Sequence, residues 1–326
     1  MAFDVSALTA HIEENSTDFA MKAITGSKIW PLGCDIRQGI KAGTTVKIPT
    51  LLQDAPFYAA SACTVNSSGT TTFNQINVTN TAIAISPQWC LYDLEPYFLQ
   101  MGLKPGAKED SLSFMNKILD RLAAIAARNV GMQLIQGKQT YTNATYLKQI
   151  NGFIAALDTN GTAISGNTGS ETSITASNII AIMDKMIAAI PNRVFLSSNP
   201  QVWMGADTYR LLVQAQRNAN AFNYFPTPTE YGGLSQIFPG TNVKVIAIDE
   251  LNNDNPVETG SLPTAVKNRI FALNPDNVVI AVDKQNDFSD FRVWFDNNTN
   301  LIKSYGRFSL GTTCKFYDEI VQYTNA

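Results

Sequence analysis

The sequence has few of the residues that enzyme sites most often use. Of its 326 residues, one is histidine and four are cysteine. The histidine, His11, lies in an N-terminal stretch with little apolar mass, where it is poorly placed to activate a nucleophile. The cysteines include no Cys-x-x-Cys pair, which argues against a zinc site or a disulfide framework. We therefore expect four buried, small hydrophobic side chains: Cys34, Cys63, Cys90 and Cys314.

Charge of one sign and long apolar runs are also scarce. Charged residues make up 16% of the chain and the net charge is −3, whereas a dedicated nucleic-acid binder concentrates Lys and Arg on one face. No stretch approaches the roughly 18 uninterrupted apolar residues of a membrane helix. The N-terminal residues include Asp4, Glu13 and Glu14, where a signal peptide needs a basic start and an apolar run. These features predict a protein made and kept in a cytoplasm, without a membrane.

The motifs of common enzyme sites fail on spacing. Residues 131–139 read Gly-x5-Gly-Lys-Gln, which is one residue too long for a P-loop, lacks its Ser or Thr, and follows a predicted helix instead of preceding one. No Gly-x-Ser-x-Gly sequence occurs. Two acidic clusters could serve a paired-carboxylate hydrolase, but nothing beside them selects a substrate and the spacing of a calcium loop is absent. The clusters are Asp249 with Glu250, and Asp283 with Asp287 and Asp290. The sequence thus predicts no enzyme, and no catalytic, cofactor-binding or metal site.

The longest periodic segment covers residues 110–136. Its apolar residues recur every three or four positions, which places them on one stripe of a helix. Asp110 and Ser111 can cap the first turn, and Gly137 can end the last. At about 1.5 Å per residue the helix would be roughly 40 Å long, so we expect a spine across which other elements lie. The predicted stripe consists of Leu112, Met115, Leu119, Leu122, Ile125 and Ala126.

Residues 34–88 have the pattern of a long β-hairpin. One β-rich run covers residues 44–50, a turn signal follows at residues 66–69, and a second run covers residues 73–86. The apolar residues of the second run change face after Val78, which indicates a bulge or bend. An isolated two-stranded ribbon is at best marginally stable. The hairpin therefore either folds back onto its own domain or packs against a partner.

The second half mixes helices and strands. We expect a second amphipathic helix ending before Pro191, a buried strand over residues 193–197, and a third helix that starts at residues 198–200. The apolar residues expected on this third helix are Val202, Met204, Tyr209, Leu212 and Val213. The pattern shows no regular βαβ alternation, so the predicted fold class is α+β. Further strands are predicted over residues 243–248, 270–273, 278–282, 291–295, 301–308 and 313–321.

The order of these elements carries a resemblance, although no single motif does. The segments involved are residues 192–200 (NRVFLSSNP) before the helix at residues 209–212, residues 242–246 after a Gly-rich loop, residues 270–272 ahead of 277–281, and the closing residues 317–323. With the N-terminal arm, the hairpin and the spine helix, this layout resembles the major capsid protein of tailed bacteriophages with the Hong Kong 97-type fold.

The resemblance implies a division of the chain. It gives an N-terminal arm over residues 1–33, an extended E-loop hairpin over 34–88, a peripheral domain over 89–192 that contains the spine helix 110–136, an axial domain over 193–290, and C-terminal strands over 291–326 that rejoin the peripheral domain.

The resemblance also implies a function. Hexamers and pentamers of the chain would assemble into an icosahedral shell that encloses phage double-stranded DNA without sequence-specific binding. The shell would assemble in the host bacterial cytoplasm and form the capsid of the virion. Because the arm begins almost at Met1, we expect a separate scaffold protein, with portal and decoration proteins as further partners. Three alternatives are an encapsulin-like compartment shell, a surface or carbohydrate-binding module using residues 222–231, and a hydrolase using Asp283 to Asp290.

Overall fold

A computed structural model describes residues 29–53, 71–90, 111–141, 146–169, 171–219, 227–228, 234–252, 268–283, 292–296, 298–299 and 301–325. The helices in these ranges are α1 (Ser111–Gln136), α2 (Phe153–Asn160), α3 (Ile179–Ala189), α4 (Asn192–Phe195) and α5 (Ala206–Asn218). The strands are β1 (Asp35–Gln38), β2 (Thr45–Gln53), β3 (Thr71–Thr79), β4 (Thr81–Ile85), β5 (Gln88–Cys90), β6 (Ile164–Ser165), β7 (Gln201–Gly205), β8 (Thr227–Pro228), β9 (Leu234–Ile237), β10 (Lys244–Ile248), β11 (Ile270–Leu273), β12 (Val278–Val282), β13 (Arg292–Asp296), β14 (Leu301–Cys314) and β15 (Val321–Tyr323).

A six-stranded sheet is built on β14. This 14-residue strand pairs antiparallel with β12, β13, β4 and β5, and β1 adds to β12 in parallel. Strands β4 and β5 pair with consecutive parts of β14 without a shift in register between them, since Ile85 lies opposite Gly306 and Gln88 opposite Lys303. The sequence predicted two strands, residues 301–308 and 313–321, where β14 continues unbroken to Cys314. That division was wrong because Gly311, in the predicted gap, lies within the strand. The predicted strand 313–321 was also wrong over most of its length, since a 3₁₀ turn occupies Tyr317–Glu319 and β15 begins only at Val321.

A seven-stranded sheet has the order β6-β15-β11-β7-β10-β9-β8. Its neighbours β7 and β10 are parallel, and α5 lies between them in the chain, so one parallel crossover is present where the sequence showed no βαβ pattern. Helices α3 and α5 share an apolar cluster with this sheet. The cluster includes Ile182 and Met186 from α3, Tyr209 and Leu212 from α5, and Val202 and Met204 from β7.

Two predictions between residues 192 and 205 were wrong. The expected strand over residues 193–197 is the short helix α4, and the expected helix start at residues 198–200 leads instead into β7, which holds Val202 and Met204. The later part of that predicted helix, with Tyr209, Leu212 and Val213, is confirmed as α5. All five residues of β7 are buried. A strand buried on both faces has no alternation of apolar and polar residues, so periodicity cannot separate it from a buried helix.

Helix α1 confirms the predicted spine, but its buried face differs from the predicted stripe. Ala126 is buried and Leu122 is half-buried, whereas the side chain of Ile125 is 46% exposed. The buried face is turned towards Ala123, Ala127 and Val130, and the last turns are buried all round. The predicted side chains of Leu112, Met115 and Leu119 lie outside the described side chains.

An aromatic group connects the spine region to the seven-stranded sheet. Phe153, from the unpredicted helix α2, packs edge-on against Phe271 with 5.0 Å between ring centroids, and lies 6.0 Å from the ring of Trp203. All three side chains are fully buried and belong to a core cluster that also contains Leu134 of α1 and Ile280 of β12. The cluster therefore draws on α1, α2 and both large sheets.

Most of the other predicted strands are confirmed with small shifts at their ends: residues 44–50 as β2, 243–248 as β10, 270–273 as β11, 278–282 as β12 and 291–295 as β13. The second helix is confirmed as α3, which ends before Pro191 and has Asn178 at its N-cap position. The mixed α and β composition predicted for the chain is confirmed. The domain boundaries stay a prediction.

Candidate assembly surfaces

The first candidate surface is the hairpin of β2 and β3. Nine residues of each strand pair, from Thr45 opposite Thr79 to Gln53 opposite Thr71, and no other described strand joins this sheet. At about 3.3 Å per residue the ribbon is about 30 Å long. Its described apolar support lies at the base, where Ile48 and Val78 are buried. Two-stranded ribbons with little support of their own are typical of segments that a neighbouring molecule covers.

The ribbon ends in the bend that the sequence predicted. Strand β3 stops at Thr79, Asn80 is fully buried, and β4 begins at Thr81 and leaves the ribbon to pair with β14. The change of face after Val78 therefore marks the point where the chain passes from the ribbon into the six-stranded sheet. The bend fixes where the ribbon departs from the body.

A second candidate surface is a cleft of about 690 Å³ between α1 and the stretch from β4 to Pro87. Apolar side chains form most of its lining, among them Ile83, Leu122 and Phe308. Ile125 on α1 and Tyr146, which is 53% exposed, lie at the same cleft. Exposed apolar surface of this kind marks contact sites more often than it marks free surface.

Other exposed large apolar side chains lie away from the cleft. Leu196 follows α4 and is 79% exposed, and Ile237 at the end of β9 is 61% exposed. Trp294 on β13 and Tyr305 on β14 are also exposed and lie on paired strands. Single exposed apolar residues are common on monomers, so these four add support only alongside the hairpin and the cleft.

The two acidic clusters of the sequence are described only in part. Asp249 makes an ion pair with Arg128, whose Nε lies 3.1 Å from Oδ2, while Glu250 is buried. Asp283 follows β12, and Asp287 and Asp290 lie outside the described residues. Within the described ranges no three His, Cys, Asp or Glu side chains are grouped closely enough to hold a metal ion.

Two of the described cysteines pack in or against the apolar core. Cys314 is buried in the main core, and the half-buried Cys34 packs against the same core. Burial raises the pKa of the Cys34 thiol to about 12 and holds the pKa of Cys314 still higher above its usual range. The prediction of a buried, apolar cysteine is thus confirmed for Cys314, whereas Cys34 is only partly buried. Cys90 is half-buried, and Cys63 lies outside the described residues.

Two further sequence predictions fall mainly outside the described ranges. His11 is not among the described residues, and of residues 222–231 only the backbone of Thr227–Pro228 is described. Among the helices that the structure does describe, none has the length and apolar character needed to cross a bilayer.

Comparison with known proteins finds solved structures with a similar fold. No protein-family model and no curated protein matches the sequence. The chain is similar to a solved chain of Gordonia phage Cozz, with 12% identity and a TM-score of 0.59 over 91% of this chain and 86% of that one. It is also similar to a chain in the capsid of Myoviridae Phage XM1, with 13% identity and a TM-score of 0.55 over 92% of each.

A third similar chain comes from the capsid of an empty GTA particle, with 13% identity and a TM-score of 0.53 over 92% of this chain and 90% of that chain. At such identities the likeness concerns the fold. The chain has the fold found in phage capsids, and the fold predicted from the order of its elements is confirmed at that level.

Proposed function

We propose that the chain is the major capsid protein of a tailed phage. Copies of it assemble as hexamers and pentamers into an icosahedral shell that encloses double-stranded DNA, and the role is structural, without a catalytic step. The observation that carries the proposal is the extent of the likeness, which covers 92% of this chain and 92% of the XM1 capsid chain. The likeness therefore extends over nearly the whole of both chains, which is more than a shared module.

Two physical features support the proposal. The hairpin has apolar support only at its base among the described residues, as expected of an arm that a neighbouring copy covers in an obligate interface. The net charge of −3 is compatible with DNA that is enclosed without tight or sequence-specific binding.

The proposed division of the chain follows the same layout. Residues 1–33 form the arm, 34–88 the E-loop, 89–192 the peripheral domain with the spine helix, 193–290 the axial domain, and 291–326 the closing strands. Scaffold, portal and decoration proteins are the proposed partners, the virion is the proposed location, and assembly takes place in the host bacterial cytoplasm.

Electron microscopy of the purified chain tests the assembly. We expect closed shells or rings of five and six copies, whereas monomers at high concentration would contradict the proposal. The contents of shells purified from infected cells give the second test. DNA supports a phage capsid, and a protein cargo would instead support an encapsulin-like compartment.

A shortened hairpin tests the role of the ribbon. Replacing residues 51–73 by Asn-Gly keeps the pairs from Thr45 to Thr50 and the buried Ile48 and Val78, and Asn-Gly closes a two-residue hairpin. We expect a soluble chain with near wild-type thermal unfolding that forms no shells. Normal shells from this variant would show that the outer ribbon is not an intersubunit arm.

A further inference from the structure

Three chain segments meet where the ribbon joins the body: residues 39–44, 79–81 and 309–311. We call this junction the hairpin clasp. Asn80 lies at its centre and is fully buried. Its backbone N–H donates to the carbonyl of Thr44 at 3.1 Å, and its carbonyl accepts from the N–H of Gly43 at 2.8 Å. Both strands of the ribbon are thus tied to one residue at their base.

The side chain of Asn80 extends these ties to the body. Its Nδ2 donates to the carbonyl oxygen of Ile40 and to Oγ of Ser309 on β14, the latter at 3.1 Å. The N–H of Ile40 in turn donates to the carbonyl of Val282 on β12 at 3.3 Å. The buried amide of Asn80 therefore connects the segment before the ribbon to β14, and the backbone of Ile40 connects the same segment to β12.

The clasp also brings two backbones into close approach. A Cβ atom at Gly311 of β14 would lie 2.3 Å from the carbonyl oxygen of Thr79, the last residue of β3. Contacts under 3.0 Å do not occur for real Cβ atoms, so glycine is required for this approach. The end of the ribbon is consequently held against β14 at a fixed separation.

Little else among the described residues fixes the direction of the ribbon. The apolar contact at its base consists of five buried residues, and no other described strand pairs with β2 or β3. The five residues are Ile40, Ile48, Val78, Val279 and Ala281. In addition, Oδ1 of Asn80 is buried without a hydrogen-bond partner. The two hydrogen bonds that Nδ2 donates are the side-chain hydrogen bonds described for Asn80.

We propose that Asn80 is a positioning residue that fixes the angle between the hairpin and the body. Resting on the proposed function, we further infer that this angle controls the uniformity of the shell. The ribbon is about 30 Å long, so a swing of about 20° at the clasp moves its far end by about 10 Å. A displacement of that size would take the ribbon away from any surface that it contacts on a neighbouring copy.

Distance measurements on the unassembled chain test the first part. Spin labels are attached through p-acetylphenylalanine at Gln75 and Arg307, which are both exposed, so that the native cysteines stay in place. We expect a narrow distance distribution in the wild type, a broad one in Asn80→Ala, and a displaced one in Gly311→Ala. The matched control is Asn77→Ala, because Asn77 is exposed on the same strand, and its distribution should stay narrow.

The result that would overturn the proposal is a distribution in Asn80→Ala as narrow and as centred as that of the wild type. If Asn80→Ala fails to fold by circular dichroism, Gly311→Ala decides, because it keeps the Asn80 side chain. An unchanged distribution in Gly311→Ala would then refute the role of the clasp.

Particle images test the second part. We expect uniform shells from the wild type and from Asn77→Ala, and shells of mixed diameter or open sheets from Asn80→Ala. Uniform wild-type-sized shells from Asn80→Ala would refute the link to shell geometry. If the wild type itself forms no shells, the proposed function fails, while the label distances still decide the role of Asn80.

Discussion

The buried ion pair between Asp158 and Arg269 offers a quantitative test of how the body is held together. Arg269 directly precedes β11, and its side chain is only 6% exposed. Its guanidinium donates to both carboxylate oxygens of Asp158, at 3.0 and 3.2 Å. It also donates to Oε1 of Gln322 on β15 at 3.1 Å. The pair therefore links the end of α2 to the seven-stranded sheet.

Replacing Asp158 by Ala removes the carboxylate and leaves the buried cation behind. Breaking a fully buried pair costs about 3–5 kcal/mol. Because the Asp158 side chain is 27% exposed, water screens part of the charge, and we expect about 2–3 kcal/mol. With about 2 cal/mol/K of unfolding entropy per residue, this corresponds to a fall of about 3–4 °C in Tm.

Thermal unfolding followed by circular dichroism measures this change. The control is Arg210→Ala, which breaks an exposed ion pair with Asp207, 3.4 Å long, on α5, and should change stability by no more than about 0.5 kcal/mol. Asp158→Asn should lie between Asp158→Ala and the wild type, since it keeps the shape and loses the charge. Equal Tm values for Asp158→Ala and Arg210→Ala would refute the reasoning.

Three further predictions concern the core, the pH dependence and the thiols. Because Phe153 packs on two aromatic rings, Phe153→Ala should lower the free energy of unfolding by about 3–5 kcal/mol. Phe153→Leu should lower it by clearly less, and urea titrations measure both changes. Burial raises the pKa of Asp35, but hydrogen bonds from Lys315 and Arg37 outweigh it and lower the pKa. The stabilisation that comes from this lowered pKa is present above about pH 4, the unfolded pKa of an aspartate, and is lost as the pH falls towards the folded pKa. The loss of unfolding free energy caused by Lys315→Met should therefore be smaller in acid than at neutral pH. Iodoacetamide should label Cys34 and Cys314 at pH 8 only after denaturation, as mapped by mass spectrometry, because burial keeps both thiols protonated.

Long elements with a strong period could be predicted from the sequence, and fully buried short ones could not. Helix α1 has enough turns for its apolar spacing to define it within a residue. Strand β7 has five buried residues after an Asn-Pro sequence that also suits a helix start. Ile125 shows a related limit, because periodicity predicts that a helix has an apolar face but not which of its apolar side chains the tertiary packing covers.

The hairpin could likewise be predicted from the sequence, whereas its junction with the body could not. The hairpin and its bend followed from local alternation and from the change of face after Val78. The hairpin clasp could not be predicted, because Ile40, Asn80 and Ser309 are far apart in the sequence and meet only when β4 pairs with β14. Gly311 gave no signal either, because it lay between the two predicted strands 301–308 and 313–321, and only the structure places it inside β14, where a glycine often marks a close backbone approach.

Stability and assembly are expected to depend on different parts of this molecule. The body has two large apolar clusters that draw on both large sheets and on helices α1 to α5, whereas the described base of the ribbon shares one cluster of five residues. Substitutions in the body, such as those at Phe153 and Asp158, should therefore change the unfolding free energy first. Substitutions at the hairpin clasp and in the ribbon should change how copies fit together while each copy stays folded, because few of the buried contacts that stabilise the chain involve the ribbon.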